Sequence, residues 1–493
     1  MIGWPPAATL LAAVLLPIGG DSLPGALGPP CGAHHLEAGT PQADGHRTRL
    51  IQEGPGAGPL GFRTPWRELD GCGEAGPALR LRIASGADLR LGGRRFVRGA
   101  AASVPVDDRT GGFVEGGLHL QLSERMGLRV RAAAPGQGLA SLDPPASGGD
   151  EESPGESVGG VGLERGELRE LAAHVRAGPF HLWAGRRAPG YGTGDGGGII
   201  LSGAVPIDGI GLGSRGPGRL PGRAAGLGEW SFEKMVGRMA DNGGIGRPYF
   251  LAGRGVWAPP GPVQVGFSRG AFFGGEGAPG LTTRRIISLL FGAHHREGGR
   301  VVQMTNQTAA FDLSARGRVA GVPMMAFGEV GFEDSAGAWK RSPALVFGVE
   351  AAHPERPLRI GLERTYFSGI NGHGRWYRHS FYRSGWSDRG RILGHPLAGA
   401  GTEWRLHGVV QDPEAARPWH LKLGLRTRDR LDEHSFAPAL AGRSVGGLVH
   451  GAVRLGRVEV ILDADLDRYL DPAPERPRGR LEGTGRMGLA WRW

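Results

Sequence analysis

Along much of the chain, apolar and polar residues alternate one by one. In GGLHLQLSERMGLRVRAAA, Leu118, Leu120 and Leu122 share one face while His119 and Gln121 take the other; past a short turn, Leu128 and Val130 oppose Arg129 and Arg131. A period of two marks a strand with two unlike faces, and two such runs about a tight turn predict a hairpin. The arrangement recurs. RELAAHVRAGPFHLWAGRR sets Leu171, Ala173, Val175, Leu182 and Ala184 outward and His174, Arg176, Trp183, Gly185 and Arg187 inward, across an Ala-Gly-Pro turn. GPVQVGFS sets Val263, Val265 and Phe267 against Gln264 and Gly266, and HLKLGLRTR sets Leu421, Leu423 and Leu425 against Lys422, Gly424 and Arg426. RVEVILDADLD sets Val458, Val460, Leu462 and Leu466 against Glu459, Asp463, Asp465 and Asp467.

Alternation alone fits a soluble sandwich as well as a membrane barrel. The connections favour the barrel, whose strands of roughly 9–11 residues are joined by short turns on the periplasmic side and longer loops outside. SERMG and the Ala-Gly-Pro turn are tight, whereas Pro135 to Gly166, with GGDEESPGES, is long and polar. Counting GGIILSGAV as a strand keeps this parity through the turn APPGP at 258–262. The fold predicted is all-β: an antiparallel transmembrane barrel of about 16 to 18 strands over residues 78–493, an even number being the rule for such barrels.

Composition narrows the rest. Glycine contributes 92 of 493 residues with no collagen-like period, which disfavours long helices and suits turns and close backbone approaches. Residues 7–18 form an apolar run of signal-peptide length, so residues 1–28 are expected to direct export. Residues 29–77, rich in Gly and Pro, are expected to be an irregular periplasmic segment. Cys31 and Cys72 are too few for a disulfide scaffold, and whether they pair stays open. A net charge of +10 points to an anionic partner or to a merely basic surface.

The chain closes on RMGLAWRW, with Met487, Leu489, Trp491 and Trp493 on one face. This octapeptide resembles the C-terminal signal of outer-membrane barrels through Arg486, Gly488, Trp491 and Trp493. The resemblance implies handling by the barrel-assembly machinery, with the last strand closing on the first.

Several stretches, in order, resemble the Wzi family of outer-membrane capsule-assembly proteins. They are HLWAGRRAPGYGTGDGGGIILSGAVPI; LGEWSFEKMVGRM with FLAGRGVWAPPGPVQVGFSRGAFFGGEG; NQTAAFDLSAR; and WYRHSFYRSGWSDRGRILGHPLAGAGTEWRL. In the last, Tyr377, His379, Ser380, Tyr382, Gly385, Trp386, Gly390, Arg391, Gly394 and His395 follow the family's Tyr-x-His-Ser and Gly-Arg-x-x-Gly-His pattern. The family's N-terminal helical segment, with its leucine-rich pattern and Trp-Pro element, is not recognisable in residues 30–110. The resemblance implies an outer-membrane location, an 18-stranded barrel, and a lectin without catalysis or cofactor that holds capsular or related exopolysaccharide at the surface.

The residues proposed for polysaccharide are Arg187, Tyr191, Trp376, Tyr377, His379, Tyr382, Arg383, Trp386, Asp388, Arg391 and His395. Aromatic rings can stack on sugars, and arginines can pair bidentately with acidic glycans. The same inward charges could instead form an ion-pair network filling the barrel, because buried charges must be paired in any case. Expected partners are an acidic surface polysaccharide, outer-membrane lipid and the assembly machinery, with the chain a monomer and no nucleic acid bound. Rival readings are an anion-selective channel, a soluble secreted β-protein, and a hydrolase built on His379, Ser380 and Asp388. Adjacent His379 and Ser380 would point apart on a strand. GTGDGG and GLGSRG match a dinucleotide fingerprint but lack the βαβ setting it requires. His34, His35 and Glu37, like His294 and His295, follow no zinc spacing, so no metal site is expected.

Overall fold

A computed structural model describes residues 51–52, 78–91, 94–96, 103–105, 109–123, 126–135, 167–203, 205–214, 218–219, 222–240, 242, 245–278, 282, 296–297, 300–301, 305–333, 343–368, 376–377, 381–382, 385–388, 391–397, 399–412, 417–435, 442–471 and 481–492. The expected signal segment, both cysteines, the paired histidines and Trp493 lie outside these residues.

Long strands run in chain order. They are β1 (Ala78–Leu91), β2 (Arg109–Gln121), β3 (Met126–Pro135), β4 (Glu167–Ala177), β5 (Phe180–Arg187), β6 (Ile207–Ser214), β7 (Glu229–Arg238), β8 (Tyr249–Ala258) and β9 (Val263–Phe273). The second half comprises β10 (Thr305–Val319), β11 (Val322–Glu333), β12 (Ala344–Ala352), β13 (Leu358–Phe367), β14 (Gly399–Asp412), β15 (Trp419–Ser435), β16 (Gly442–Leu455), β17 (Val458–Tyr469) and β18 (Leu481–Arg492). The main sheet has nineteen strands; setting aside the two-residue Gly218–Arg219 piece beside β7 leaves these eighteen. Each pairs antiparallel with the next in sequence. β18 then pairs with β1, from Arg82 opposite Arg492 to Leu91 opposite Gly483. The ring is closed, so no hydrogen-bonding edge is left, which a sheet crossing lipid requires. The chain end thus takes the place its sequence implied.

The two ends of the barrel differ. Connections at one end are tight, for example 122–125, 178–179, 259–262, 320–321, 353–357 and 456–457, with 215–228 the long one. At the other end lie 92–108, 136–166, 188–206, 274–304 and 368–398. Alternation along each strand decides which side chains meet lipid. On β15, Leu423 and Leu425 are exposed while Lys422, Arg426 and Arg428 are buried inside; β4 and β5 repeat this with Leu171, Val175 and Leu182 outside and His174 and Trp183 inside. On β18, Met487, Leu489 and Trp491 face out between the buried Gly488 and Ala490. Phe180, Trp230, Trp257, Trp419 and Trp491 all sit at the short-turn end of their strands. They form an aromatic belt of the kind that anchors barrels at a membrane interface, and Trp230 stacks on Trp257 at 5.4 Å.

One expected strand is corrected. GGIILSGAV is not in the wall: Ile199, Ile200, Leu201 and Val205 are buried in the interior core, within the connection between β5 and β6. The wall strand comes directly after it, at Ile207–Ser214, so the parity of turns survives although the element moves. A run apolar at successive positions has no polar face to give the lumen, which is why it fills the barrel rather than lining it.

Of residues 29–77, Ile51 and Gln52 are described. Ile51 is fully buried in the interior core, and the Gln52 amide donates to His353 O at 2.7 Å and Arg356 O at 2.8 Å in the short turn 353–357. Arg318, beside the turn 320–321, donates to Gln52 O at 3.1 Å. Gln52 is thereby bound to the short-turn end.

Candidate functional site

The interior is filled from the long-loop end. The described residues of two connections, 188–206 after β5 and 368–398 after β13, lie within the barrel and pack on each other. Tyr191, Ile199, Ile200, Leu201, Trp376, Tyr377, Tyr382, Trp386, Ile392, Leu393 and Leu397 are all buried in one cluster. Polar groups lock the two connections together: Tyr377 donates its hydroxyl to Ile199 O at 2.7 Å and accepts from the His395 N–H at 2.9 Å. Trp386 Nε1 donates to Ile200 O at 2.9 Å, and Ser202 N donates to Leu393 O at 2.7 Å. Burial pushes the Tyr377 hydroxyl well above its ordinary pKa, so it stays a neutral donor.

Carboxylates of the wall hold the first connection by its backbone. Glu363 on β13 accepts from Asp195 N at 2.6 Å and Gly196 N at 3.0 Å, while Glu329 on β11 accepts from Ile199 N at 3.1 Å. Glu333, at the end of β11, accepts from Tyr377 N at 2.7 Å and thereby supports a non-glycine residue at φ 67°. These hydrogen bonds satisfy backbone donors that burial would otherwise strand. Three glycines of the GTGDGG stretch answer to this contact. A Cβ on Gly192 would lie 2.6 Å from Glu329, and one on Gly194 or Gly196 would lie 2.7 or 2.5 Å from Glu363. Gly192 also takes φ +117°, a conformation open to glycine. In the wall, Gly270 and Gly331 leave room for the rings of Trp386 and Trp376.

Asp195 turns the other way, to β15, where Lys422 Nζ lies 2.7 Å from its carboxylate. Burial alone would raise the Asp195 pKa; Lys422, His407, Arg359 and Arg405 outweigh it and hold the carboxyl well below the usual range. Below this level the wall is cross-linked by buried ion pairs. Arg187 meets Glu233 at 2.9 Å, Arg254 meets Asp312 at 2.7 Å and Arg359 meets Glu350 at 2.9 Å. Arg426 joins Asp465 and Asp467, and Glu403 joins Arg405 and Arg428. Of the two readings open for the inward arginines, the ion-pair network describes Arg187 and Arg426.

The predicted site residues are brought together, but beneath the surface. Arg187, Tyr191, Trp376, Tyr377, Tyr382, Trp386, Asp388 and His395 are buried. Asp388 accepts from Ala240 N at 2.7 Å, Tyr382 donates to Gly274 O at 3.2 Å, and His395 contacts Thr365 at 3.3 Å and Leu397 N at 3.1 Å. Their rings face one another, as in the edge-on contacts of Trp386 with Phe250 and Phe272 at 5.3 Å, so none offers a sugar a free face. His379 and Arg383 lie outside the described residues, as do the side chains of Arg391 and Arg486. Phe381 is half-buried, its ring edge-on to Tyr382 at 5.2 Å, and Arg247 is exposed beside the bridge from Gly246 to Glu276. Neither residue was singled out from sequence, nor were Glu329, Glu333 and Glu363. Acids at inward positions of otherwise apolar alternating runs, as in FGEVGFE and GLERTYF, are the signal that could have found the last three.

The architecture can be set beside known proteins. A family model described as capsule assembly protein Wzi matches residues 114–410. Among solved structures, Wzi of Escherichia coli is similar at TM-score 0.59 and 16% identity, over 83% of each chain. That protein is described as an outer membrane protein involved in group 1 capsule assembly and a carbohydrate binding beta-barrel. OccK5 (OpdH) of Pseudomonas aeruginosa and OccAB2 of Acinetobacter baumannii reach TM-scores of 0.46 at 10% and 11% identity, each over 85% of this chain and 98% and 98% of theirs. No curated protein matches in sequence.

Proposed function

The chain belongs to the Wzi family of capsule assembly proteins, and from that membership we propose that it is a non-catalytic outer-membrane lectin that holds capsular or related exopolysaccharide at the cell surface. The observation that carries this reading is the filled interior. A pore needs a lumen, whereas here two long connections, clamped by Glu329, Glu333 and Glu363, replace it with a packed aromatic core and ion pairs. The Asp388 carboxylate that a hydrolase would need is spent on the Ala240 N–H.

The buried residues among the sequence candidates then position the surface rather than touch polymer. Contact with polymer is assigned to Phe381 and Arg247, which are half-buried and exposed, and, from the sequence alone, to His379, Arg383 and Arg391. A net charge of +10 favours an acidic polymer. The purified barrel should retain polysaccharide extracted from the same cells, and Phe381→Ala with Arg383→Ala should weaken retention at least about tenfold, as loss of an aromatic and an arginine anchor does. Retention unchanged in the double variant would remove this surface from the proposal, and absent retention in the parent would remove the lectin reading.

A further inference from the structure

The lipid-facing side of the barrel carries a charge pattern that polysaccharide attachment does not use. Among described strand side chains, the outward-facing arginines are Arg186, Arg238, Arg269, Arg364, Arg443 and Arg468. Each lies in the half of its strand next to the long loops; none lies in the half next to the short turns. An outward cation costs about 2–4 kcal/mol at the bilayer midplane and much less near an interface. Arg186 is paired with Asp208 and Arg443 with Asp471, whereas no described carboxylate pairs with Arg364 or Arg468, and cations so placed on one side of the midplane suit a zone of anionic headgroups.

Arg364 is the best defined of them. It is the seventh residue of β13 counted from the short turn, in register with Phe347 on β12 and Trp404 on β14. Its guanidinium carbon lies 4.9 Å from the centre of the Trp404 ring and 5.9 Å from that of Phe347. Both rings are themselves exposed to the lipid side. The Arg364 Nε–H is buried without a partner, and no described carboxylate pairs with the group. Two rings thus fix a cation in place at a lipid-facing position while leaving its outer edge unspent. The same register row continues from Trp404 through Thr427 and Val445 to Arg468, a second outward cation on β17.

We propose that the face formed by β12 to β17 binds the phosphorylated headgroup of an outer-leaflet glycolipid, with a phosphate on Arg364, its sugar edge against Trp404, and Arg468 as the second anionic contact. Planar guanidinium suits phosphate bidentately, and the leucines below, Leu362, Leu406 and Leu425, lie where acyl chains would run. This goes beyond capsule attachment and does not depend on it.

The test is lipid retention by the full-length barrel purified in mild detergent and incubated with bis-phosphorylated lipid A, its dephosphorylated form, or phosphatidylglycerol, with bound lipid read by native mass spectrometry. The parent should retain bis-phosphorylated lipid A over the other two. Arg364→Gln should cut that retention about fivefold, the weight of one cation beside an anionic leaflet, and Arg364→Lys less. Heat-modifiable migration of each variant establishes that it is folded. Equal retention by the parent and Arg364→Gln would overturn the proposal, as would equal retention of the phosphorylated and dephosphorylated lipids. Retention of phosphatidylglycerol as strong as that of lipid A would reduce the face to a general anionic belt and equally overturn it.

Discussion

A barrel carrying Gly198→Ala should conduct ions where the parent does not. The Cβ of alanine would stand 1.3 Å from Tyr191 O and 3.0 Å from Leu201 O, and both are backbone atoms that no rotamer change can move aside. The connection 188–206 would have to leave its place. Its departure would break the Glu329 contact to Ile199 N, the Tyr377 contact to Ile199 O and the Trp386 contact to Ile200 O together. The expected cost is at least ~3 kcal/mol, the upper part of the range for an unrelieved steric insertion. The eighteen-stranded wall does not depend on this segment, so heat-modifiable migration should persist. Steady conductance in planar bilayers and new protease cleavage within 188–206 should appear. Gly408→Ala, where an added Cβ meets nothing within 4 Å, is the matched control and should match the parent in both assays. A Gly198→Ala barrel as closed as the parent would mean that this connection is not what fills the lumen.

The second large effect is expected at Arg254. It lies on β8 with its guanidinium forked onto Asp312 of β10, at 2.7 and 2.8 Å, and onto Ser268 Oγ at 2.7 Å; both charged side chains are fully buried. Arg254→Ala leaves the Asp312 carboxylate unpaired, which costs about 3–5 kcal/mol. Replacing both partners, Arg254→Met with Asp312→Leu, removes the charge with its counter-charge and should recover most of that loss. Urea unfolding of the detergent-folded barrel, followed by the shift between folded and unfolded bands, measures both. Equal destabilisation of the single and double variants would show that the pair matters through its shape rather than its charge.

Much of this was legible in the sequence because a membrane barrel exposes its rule at each residue. Lipid on one side and a polar interior on the other force a period of two, so Leu421, Leu423 and Leu425 could be set against Lys422 and Arg426 without a structure. The closing strand was legible for the same reason, with Trp491 on the lipid side. The filling of the barrel obeys no period. GGIILSGAV has strand-like composition, yet its apolar residues point into a core made by another connection nearly two hundred positions away, which the contacts of Tyr377 with Ile199, Trp386 with Ile200 and Leu393 with Ser202 reveal. Trp376, Tyr377, Tyr382 and Trp386 of WYRHSFYRSGWSD lie in one buried cluster, but sequence carries no sign of depth. A tryptophan that stacks on sugar and one packed against Phe250 and Phe272 look alike in one dimension. The clamp glutamates were overlooked because a lone acid in an alternating run reads as one more lumen charge.

Attachment of polysaccharide is best tested in cells, by deleting the gene, restoring it, and measuring how surface polymer divides between the cell pellet and the medium. Total polymer should stay constant while its larger part moves into the medium in the deletion strain and returns to the cells on restoration. An unchanged division between pellet and medium would contradict the attachment role directly.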